Sequence, residues 1–505
     1  MKRLTALLLF TGLVLGALAQ AASGAGVTSL AKTASGAGVV PFGQTAREEI
    51  KANKFLSGSN YLDYDRQLAT EALTPAPAGY VPYYMSHYGR HGSRWLIAKD
   101  SYTSVLDPLQ KAKAQGKLTA KGEEVLTQLT AFYRLPVADF PALDGQFSGA
   151  QLRLGDLTTV GERQHHGIAS RMAKNFPEIF LKEGIRIDAR STTVNRCILS
   201  MMAECEQLAA ANPTIRFHND VSDALQYYLN QPRSGLLQHM REKSSDVRRQ
   251  FNDEVRKTHT PDRLMKVLFN DPAWVSDSIK AEQLMDRLFE VVTNMQSHDD
   301  GIDMFSLFTE DEVYNQWRMD NVRWYLHYGP APATGSVMPF SQRNLLRNII
   351  ETADTVTQVQ ATMRFGHEVC VMPLACLMEL GNSGAEVTDL MQLETLWRNY
   401  KIFPMGCNVQ IIFYRPAENA DGDILVKVLL NERECTLPVK TTQHPYYPWK
   451  ELRQYYLDKL DKFDAREKEF QNNQTTNNNQ NEATQEHHHR HHPGALRSRQ
   501  GARVQ

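Results

Sequence analysis

The chain has 505 residues, of which 42% are hydrophobic and 22% charged, a balance typical of globular proteins with room for about two or three domain-sized units. The formal net charge of -1 excludes a basic field over the whole surface, so nucleic acid is not an expected partner. Any site that binds an anion must therefore be built locally.

Residues 1–22 have the pattern of a secretory signal peptide. Lys2 and Arg3 precede the apolar run from Leu4 to Leu18, and small residues follow where a signal would be cleaved. The run is too short to cross a bilayer, and no later stretch is long and apolar enough to do so. We expect a soluble, periplasmic or secreted protein with no membrane contact after signal removal. Residues 23–44, rich in Ala, Gly, Ser and Thr, are predicted to form a flexible lead-in.

Residues 45–211 are predicted to form the first part of an α/β domain. A Thr45-x-x-Glu48 capping box opens a helical pattern that continues to about Gln67. A turn-rich connector then leads into a short predicted strand, which ends in the first chemical motif of the chain.

That motif is Arg90-His91-Gly92-Ser93-Arg94. Arg90 and Arg94 can each hold a phosphate or carboxylate with a permanently charged fork of N–H donors. His91 between them can act as a neutral nucleophile, while Gly89 and Gly92 allow the backbone to approach an anion closely. The pattern favours phosphoryl transfer through a phosphohistidine over the alternative, a solvated surface loop.

Helical patterns follow the motif. Residues 101–134 predict helical segments broken at Gly116 and Gly122, and another helix begins near residue 158 and carries His165 and His166. Adjacent helix residues point in different directions, so at most one of these two imidazoles should face a site. Solvated surface is the favoured position for them.

Residues 185–190 alternate like a strand, and a helix is predicted from 194 to 211. Arg190 ends the strand, and Arg196 falls in the first turn of the helix. Because a helix start already favours anions, a cation there is electrostatically out of place. We interpret Arg196 as serving a bound anion; the alternative is an arginine paired with a nearby carboxylate.

Residues 212–328 change character, since strand patterns nearly vanish and charged helical stretches replace them. We predict an all-helical domain inserted into the α/β domain, whose second part covers residues 329–465. A helix is predicted over residues 341–353, and two apolar strands at 409–414 and 424–430 flank a hairpin-type turn. An amphipathic helix over residues 447–463 closes the domain.

The second chemical cluster is Met363-Arg364-Phe365-Gly366-His367-Glu368, again a short strand that ends in glycine. A histidine can donate to a phosphate oxygen, and an adjacent carboxylic acid can protonate a leaving group. The His-Glu pair alone is a weak signal, but the strand and Arg364 before it strengthen the interpretation.

Residues 466–505 are rich in Asn, Gln and His, a composition that cannot bury a core and predicts disorder. The five histidines between 487 and 492 can hold a transition metal loosely, although a solvated tail without catalytic duty is favoured. Six cysteines in an exported protein favour disulfides, with fifteen full pairings open. Cys197 and Cys205 lie about 12 Å apart on one predicted helix, so each needs a distant partner.

These motifs together resemble the histidine acid phosphatase family, clade 2 of the histidine phosphatases, which includes phytases and multiple inositol polyphosphate phosphatases. The resemblance covers about residues 80–458 and includes the later segments 403–408 and 426–431. It implies a mostly parallel central sheet flanked by helices, with an inserted all-helical domain. The composition change at residues 212–328 indicates the same insert independently.

The resemblance also implies roles for individual residues. His91 corresponds to the phosphorylated nucleophile, His367 assists phosphate binding and Glu368 is the proton donor; the phosphoryl group is bound by Arg90, Arg94 and Arg196. Two positions depart from the family pattern. Leu96 stands where a proline is common, and His-Glu-Val replaces the His-Asp or His-Ala-Glu of relatives, so the acid has the Asp position with Glu chemistry.

The expected reaction is hydrolysis of a small-molecule phosphate ester by a monomer without metal or cofactor, because arginines can neutralise the transferred phosphoryl group. Activity is expected to favour acidic pH, at which Glu368 can start protonated. Phytate is the first substrate to test, with Lys99, Arg190 and Arg364 as possible pocket residues. A general phosphomonoesterase, a phosphomutase and a non-catalytic phosphate-binding protein are the alternatives.

Overall fold

A computed structural model describes residues 31–36, 39–134 and 153–490. The predicted signal peptide lies outside these residues. No helix of the described chain is both long and apolar enough to span a membrane. The prediction of a flexible lead-in is wrong for the part that is described, because the backbone N–H of Phe42 donates to the carbonyl of Thr395 and the side chain of Asn382 donates to the carbonyl of Val40.

The strands form a mixed sheet of eight strands, in the order β10-β8-β7-β2-β5-β3-β4 with β9 beside β8, and a separate pair of short strands, β1 and β6. Their bounds are β1 (Ala31–Lys32), β2 (Tyr80–Arg90), β3 (Arg186–Ser191), β4 (Arg216–Asp220), β5 (Ala361–Gly366), β6 (Glu386–Val387), β7 (Asn408–Pro416), β8 (Leu425–Leu430), β9 (Arg433–Glu434) and β10 (Tyr447–Pro448). Strands β2, β5, β3 and β4 are parallel, whereas β7 pairs antiparallel with β2 and β8 pairs antiparallel with β7. The predicted α/β class with parallel strands at the centre of the sheet is confirmed.

The register between β2 and β5 brings the two sequence motifs together. Arg90 lies opposite Gly366, so both strands end at the same level and the residues that follow them share one edge of the sheet. Every residue of β5 is buried, as expected for a strand covered on both faces. The carboxyl ends of parallel strands are where ligands bind in open α/β sheets.

The helices cover both faces of the sheet and build a separate helical body. Their bounds are α1 (Ala46–Ala52), α2 (Lys99–Ala114), α3 (Ala120–Arg134), α4 (Thr159–Asn175), α5 (Pro177–Phe180), α6 (Asn195–Ala211), α7 (Gln226–Leu229), α8 (Gly235–Glu242), α9 (Ser244–Arg256), α10 (Asp262–Leu268), α11 (Pro272–Ser278), α12 (Ala281–Asn294), α13 (Glu310–Tyr328), α14 (Arg343–Thr355), α15 (Glu368–Leu377) and α16 (Trp449–Arg490).

The three largest of four hydrophobic cores in the described chain hold these layers together. Helices α4, α5 and α6 bury apolar side chains against one face of the sheet, and α14, α15 and α16 cover the other. A third core, around the buried Trp317, joins α2 and α3 to α10, α12 and α13. The helical body therefore contains helices that precede β3 in the chain and helices that follow β4. Its predicted start at residue 212 is too early by one strand, because β4 still pairs with β3 in the sheet.

Several predicted boundaries differ from the structure for local reasons. The Thr45–Glu48 capping box is present, but α1 ends at Ala52 and short 3₁₀ turns follow it up to Gln67. Gly116 does end a helix, in a left-handed conformation with φ of 67°, whereas Gly122 lies inside α3. There a Cβ would come within 2.2 Å of the Leu268 carbonyl oxygen, so glycine permits close packing rather than a break.

The predicted disorder from residue 466 is wrong as far as Arg490, because α16 continues through it. Contacts beyond the predicted helix end stabilise this extension. Arg343 pairs with Glu467 at 3.3 Å, and the ring of Phe470 packs 5.5 Å from that of His239. Residues 491–505, which include two of the tail histidines, lie outside the described chain.

The six cysteines form no disulfides, contrary to the sequence-based expectation, and all six are buried free thiols. Each sulfur lies in its own packing environment. Cys197 Sγ, for example, donates to the Gly366 carbonyl, while Cys370 Sγ donates to the Leu229 carbonyl. Burial raises the pKa of both thiols to about 12, so neither is a reactive thiolate near neutral pH.

Candidate active site

The loop after β2 is held tightly from several sides. The N–H of His91 donates to the Gly366 carbonyl at the end of β5, and the His91 carbonyl accepts from Gly406. Gly92 lies against the start of α4, where a Cβ would meet the Gly161 carbonyl oxygen at 2.5 Å. Only glycine fits at this position, which fixes the loop next to α4.

The His91 imidazole is fully buried and has a defined tautomer. Its Nδ1 lies 2.8 Å from the Gly92 carbonyl, which can only accept, so Nδ1 carries the proton and Nε2 presents a lone pair. Nε2 is buried and makes no hydrogen bond. Burial, reinforced by Arg90 and Arg196, holds the pKa of His91 well below its ordinary value, so the ring is neutral.

The two arginines of the first motif are buried, and some of their guanidinium N–H groups have no hydrogen-bond acceptor in the described chain. Arg90 Nη1 donates to the carbonyls of Asn60 and Phe403, at 2.7 and 3.1 Å, and Arg94 Nη1 donates to the Trp95 carbonyl. The remaining Nε and Nη2 of Arg90 and the Nε of Arg94 make no hydrogen bond. Such orphaned charged donors in a buried site indicate space for an anion.

Arg196 lies in the first turn of α6, as predicted, and is half-buried. Its Nη1 is 3.4 Å from the Gly155 carbonyl, and its Nε is buried without a hydrogen bond. In the described chain no carboxylate forms an ion pair with it, and the Glu368 carboxylate acts on its charge from a longer distance. The role of Arg196 toward a bound anion stays a prediction. The pKa of Arg196 is lowered by burial and by the proximity of Arg94 and Arg90.

Glu368 is the first residue of α15, and its carboxylate lies among the arginines. Its Oε2 is 3.2 Å from Arg90 Nε and 3.6 Å from His91 Nε2, and its Oε1 is 4.0 Å from Arg94 Nη2. Burial alone would raise the pKa of this carboxyl, but Arg90, His91 and Arg94 outweigh that effect and hold the pKa well below its ordinary value. The expectation that Glu368 starts protonated is therefore wrong for the ligand-free site, in which it is a carboxylate.

His367 faces the same space from the end of β5. Its ring centroid is 5.9 Å from that of His91, and its Nε2 lies 3.2 Å from the Thr192 hydroxyl. Cys197 Sγ approaches both of its ring nitrogens at 3.8 Å. Burial, with a further contribution from the arginines, lowers the pKa of His367 to about 4, so it is a neutral hydrogen-bonding group above that pH.

The charges around His91 do not balance. Three guanidiniums, Arg90, Arg94 and Arg196, surround a neutral imidazole and are met by one carboxylate, an excess of two positive charges. His91, His367 and Glu368 also have ligand atoms within 4.8 Å of one another, close enough to hold a metal ion. The arginines oppose a cation there, and the excess charge matches a phosphate dianion.

A buried layer behind the loop fixes its shape. The Ser200 hydroxyl of α6 accepts from the Gly92 N–H at 3.1 Å, and the Gln164 side chain of α4 accepts from the Ser93 N–H at 2.9 Å. One residue further along α4, His165 Nδ1 lies 2.7 Å from the Glu204 carboxylate of α6, and both side chains are fully buried. The predicted solvated position of His165 is wrong: its partner on the next helix replaces solvent.

The three possible substrate-pocket residues lie outside this cluster. Lys99 is exposed at the start of α2. Arg190 donates to the Tyr228 hydroxyl at 3.0 Å and lies 3.8 Å from Asp188. Arg364 is fully buried and donates to Ser86, Asn348 and Thr352, which makes it a tie between the sheet and α14. These three hydrogen bonds engage the Arg364 guanidinium, and its pocket role stays a prediction.

A cavity of about 380 Å³ is lined by Asn60 and Tyr61, which contact Arg90 and Arg94 respectively. The Tyr61 ring lies 5.5 Å from the Arg94 guanidinium carbon. Arg248 of α9 and Arg323 of α13 line the same cavity, together with Arg287 and the carboxylates of Asp286, Glu290 and Asp320. His327 follows on α13, and burial together with Arg323, Arg248 and Arg241 lowers its pKa to about 4.

We call Arg241, Arg248, Arg323 and His327 the basic wall. Arg241 stacks on Tyr328, and Arg323 pairs with Asp320 at 2.6 Å, whereas Arg248 has no ion-pair partner in the described chain. Sequence patterns did not identify these residues, since charged residues on a helix usually face solvent. The one available signal was the clustering of arginines in the predicted insert.

Comparison with known proteins identifies the fold. The sequence profile of the histidine phosphatase superfamily (branch 2) matches residues 89–431. The Bifidobacterium longum multiple inositol polyphosphate phosphatase in complex with inositol hexasulfate superposes with a TM-score of 0.63 at 18% identity, covering 79% of this chain and 97% of that one. The phytase from D. castellii gives a TM-score of 0.56 at 13% identity, covering 84% and 91%.

No curated protein sequence matches. The profile nevertheless spans both motifs, and the superposed structures share the mixed sheet with its flanking helices. The family resemblance seen in the sequence is thereby confirmed, and the chain belongs to branch 2 of the histidine phosphatase superfamily and is a phosphatase.

Proposed function

We propose that this phosphatase is exported and hydrolyses small polyphosphorylated molecules, inositol polyphosphates such as phytate first among them, through a phosphohistidine at His91. One observation carries the proposal: a neutral imidazole with a free, buried Nε2 lies inside a ring of arginines that has two uncompensated positive charges. A phosphate dianion satisfies the orphaned donors and neutralises the excess charge.

In the first step Nε2 of His91 attacks phosphorus in line, and the bond from phosphorus to the ester oxygen breaks. Arg90, Arg94 and Arg196 neutralise the charge that spreads over the equatorial oxygens, and His367 adds a hydrogen bond. The leaving alkoxide takes a proton from Glu368, which lies 3.6 Å from His91 Nε2. The Gly92 carbonyl accepts from Nδ1 and stabilises the cationic phosphohistidine.

Glu368 acquires that proton when the substrate binds. In the ligand-free site the arginines hold it ionised. A bound phosphate takes over the arginines and places its own negative charge beside the carboxylate, and both effects raise the pKa of Glu368. Proton uptake therefore accompanies binding, and acidic solution favours the competent complex.

In the second step Glu368, now a carboxylate again, removes a proton from a water molecule that attacks the phosphohistidine. The bond from nitrogen to phosphorus breaks, inorganic phosphate forms, and His91 returns to its neutral tautomer. No step requires a metal ion, so turnover is expected to continue in the presence of a chelator.

Two observations support a polyphosphorylated substrate. Arg248 and Arg323 of the basic wall line the cavity that also contains Tyr61, the neighbour of Arg94, and can meet further phosphate groups of a substrate bound at His91. A structural neighbour is described in complex with inositol hexasulfate, an anion with six charged groups on one ring. Export is supported by the signal-peptide pattern of residues 1–22.

The test is phosphate release from phytate, glucose 1-phosphate and p-nitrophenyl phosphate, combined with rapid quenching in alkaline detergent. An acid-labile, alkali-stable adduct at His91 and a preference for phytate are expected. An Arg248→Ala variant should raise KM for phytate while leaving KM for p-nitrophenyl phosphate unchanged. Equal kcat/KM for all three esters would instead indicate a broad-specificity phosphatase, and the absence of an adduct would contradict the mechanism.

A further inference from the structure

A second group of ligand-type side chains lies on the outer surface of α4 and α6. Glu162 and His166 are four residues apart on α4 and therefore share one face of that helix. Glu206 of α6 meets them across the helix pair. One atom from each of these three side chains lies within 4.8 Å of the others.

The imidazole of this group lies near a carboxylate without forming a hydrogen bond to it. His166 Nε2 is 3.6 Å from Glu206 Oε2, too far for a hydrogen bond, and it is buried without any hydrogen bond. Two ligands that bind a tetrahedral metal at about 2.0–2.2 Å lie about 3.3–3.6 Å apart. The gap between imidazole and carboxylate thus has the width that a shared metal ion spans.

The charges of the group are also uncompensated. In the described chain Glu162 has no ion pair or side-chain hydrogen bond, and His166 is the one charged-type partner of Glu206. Arg163, next to Glu162 in the chain, pairs with Asp299 at 2.9 Å, and Arg153, which lines the same cavity as Glu162 and Glu206, lies 3.5 Å from Asp156. Two converging carboxylates favour a cation between them.

We propose that Glu162, His166 and Glu206 bind a divalent transition-metal ion, with Zn²⁺ as the best match to one imidazole and two carboxylates. Three protein ligands leave a fourth tetrahedral position for water. An imidazole with carboxylates suits transition metals, whereas Ca²⁺ prefers six to eight oxygen ligands. The site is separate from the His91 cluster and independent of the phosphatase mechanism.

The consequence is a link between the two helices that shape the catalytic loop. Helix α4 carries Gln164, which binds Ser93, and α6 carries Arg196 and Ser200. A bound ion would join these helices from the solvent side, opposite the buried contact of His165 with Glu204. The metal is therefore expected to stabilise the fold rather than to take part in the reaction.

The experiment is isothermal titration calorimetry of the full-length chain with Zn²⁺. The parent variant for this titration carries glutamine in place of the tail histidines, which could otherwise bind Zn²⁺; these are His487, His488, His489, His491 and His492. One Zn²⁺ site is expected in this parent variant, together with a Zn²⁺-dependent rise in Tm. His166→Ala and Glu206→Gln should each weaken the site at least about tenfold and remove the Tm shift.

Two controls assign the signal. His218→Gln removes an imidazole of similar setting, 3.7 Å from Asp188, and should leave Zn²⁺ binding unchanged. His91→Ala tests the catalytic cluster and should also keep the site. The proposal is wrong if no Zn²⁺ site is found, if His166→Ala binds as tightly as the parent variant, or if His91→Ala abolishes binding. Because heat and affinity are measured without substrate, this result does not depend on the phosphatase mechanism.

Discussion

Two buried pairs of histidine and glutamate lie on either side of the loop after β2, and they differ in how completely they satisfy each other. His165 and Glu204 meet at 2.7 Å, and neither side chain is exposed. His91 and Glu368 stand 3.6 Å apart, and the Nε2 between them makes no hydrogen bond. The same two residue types thus form a closed contact in one place and an open one in the other.

This difference distinguishes a pair that stabilises the fold from a pair that is proposed to react with substrate. The closed pair joins α4 to α6 through the contact of His165 Nδ1 with Glu204, while the other two polar atoms of the pair, His165 Nε2 and Glu204 Oε2, are buried in the described chain without hydrogen bonds and have no arginine paired with them. An open pair keeps a lone pair and several N–H donors buried without partners, which destabilises the empty site unless a ligand arrives. The candidate reactive position is distinguished by the arginines around its unpaired atoms, since Arg90 and Arg94 supply buried donors that an anion can satisfy.

The largest effect is expected at the open pair. His91→Ala removes the proposed nucleophile, so turnover of any phosphate ester should fall at least about 10⁴-fold while Tm changes little. Phosphate release and adduct trapping measure this, and His218→Gln serves as the matched control. Retained turnover would show that His91 is not the nucleophile.

Glu368→Gln should have the next largest effect, because it removes the proton donor. A kcat loss of about 10²–10⁴-fold is expected for phytate, and a smaller one for p-nitrophenyl phosphate, whose leaving group needs no proton. The same variant should bind inorganic phosphate more tightly, since glutamine does not compete for the arginines. Equal losses for both esters would contradict the assigned role.

At the closed pair, a change should affect folding before chemistry. Glu204→Ala leaves the His165 imidazole buried without its partner, at a cost of about 1–3 kcal/mol for the unsatisfied group and more for the cavity. Denaturant unfolding should show this loss, with KM altered little. A loss of activity without a loss of stability would mean that this pair belongs to the reaction.

Arg196 and Arg364 provide the same comparison between a residue proposed to bind phosphate and a residue that stabilises the fold, with smaller expected effects. Arg196→Lys keeps the charge but loses the planar fork, so KM for phytate should rise about tenfold with stability unchanged. Arg364→Lys breaks a tie between sheet and α14, so it should lower Tm and leave KM unchanged. Kinetics and thermal unfolding of both variants distinguish the two outcomes.

The smallest effect concerns pH. Burial lowers the pKa of His87, His298, His327 and His367 to about 4. The unfolded chain takes up these protons below about pH 6.5 and the folded chain does not, so stability should be full above pH 6.5 and decline toward pH 4. The Tm should fall when it is measured from pH 7 to pH 4, and the Tm of the His298→Phe variant should fall less steeply. Parallel curves of Tm against pH for the two proteins would contradict this.

The sequence predicted the open pair better than the closed one, for a physical reason. Arg90, His91 and Arg94 are close together in the chain, and β2 and β5 have clear strand patterns. Local sequence patterns were therefore enough to predict which residues meet at this edge of the sheet. His165 and Glu204 are 39 residues apart and meet through helix packing, which no local pattern encodes. The basic wall, the free cysteines and the continuation of α16 depend on tertiary contacts in the same way.

The position of Glu368 has a consequence for the end of each catalytic cycle. When inorganic phosphate departs, the carboxylate 3.2 Å from Arg90 Nε is already in place to take up the vacated guanidinium. This internal anion weakens the hold of the arginines on product, which would otherwise compete with fresh ester. The residue proposed to protonate the leaving group therefore also promotes product release, and free phosphate should be a weak inhibitor.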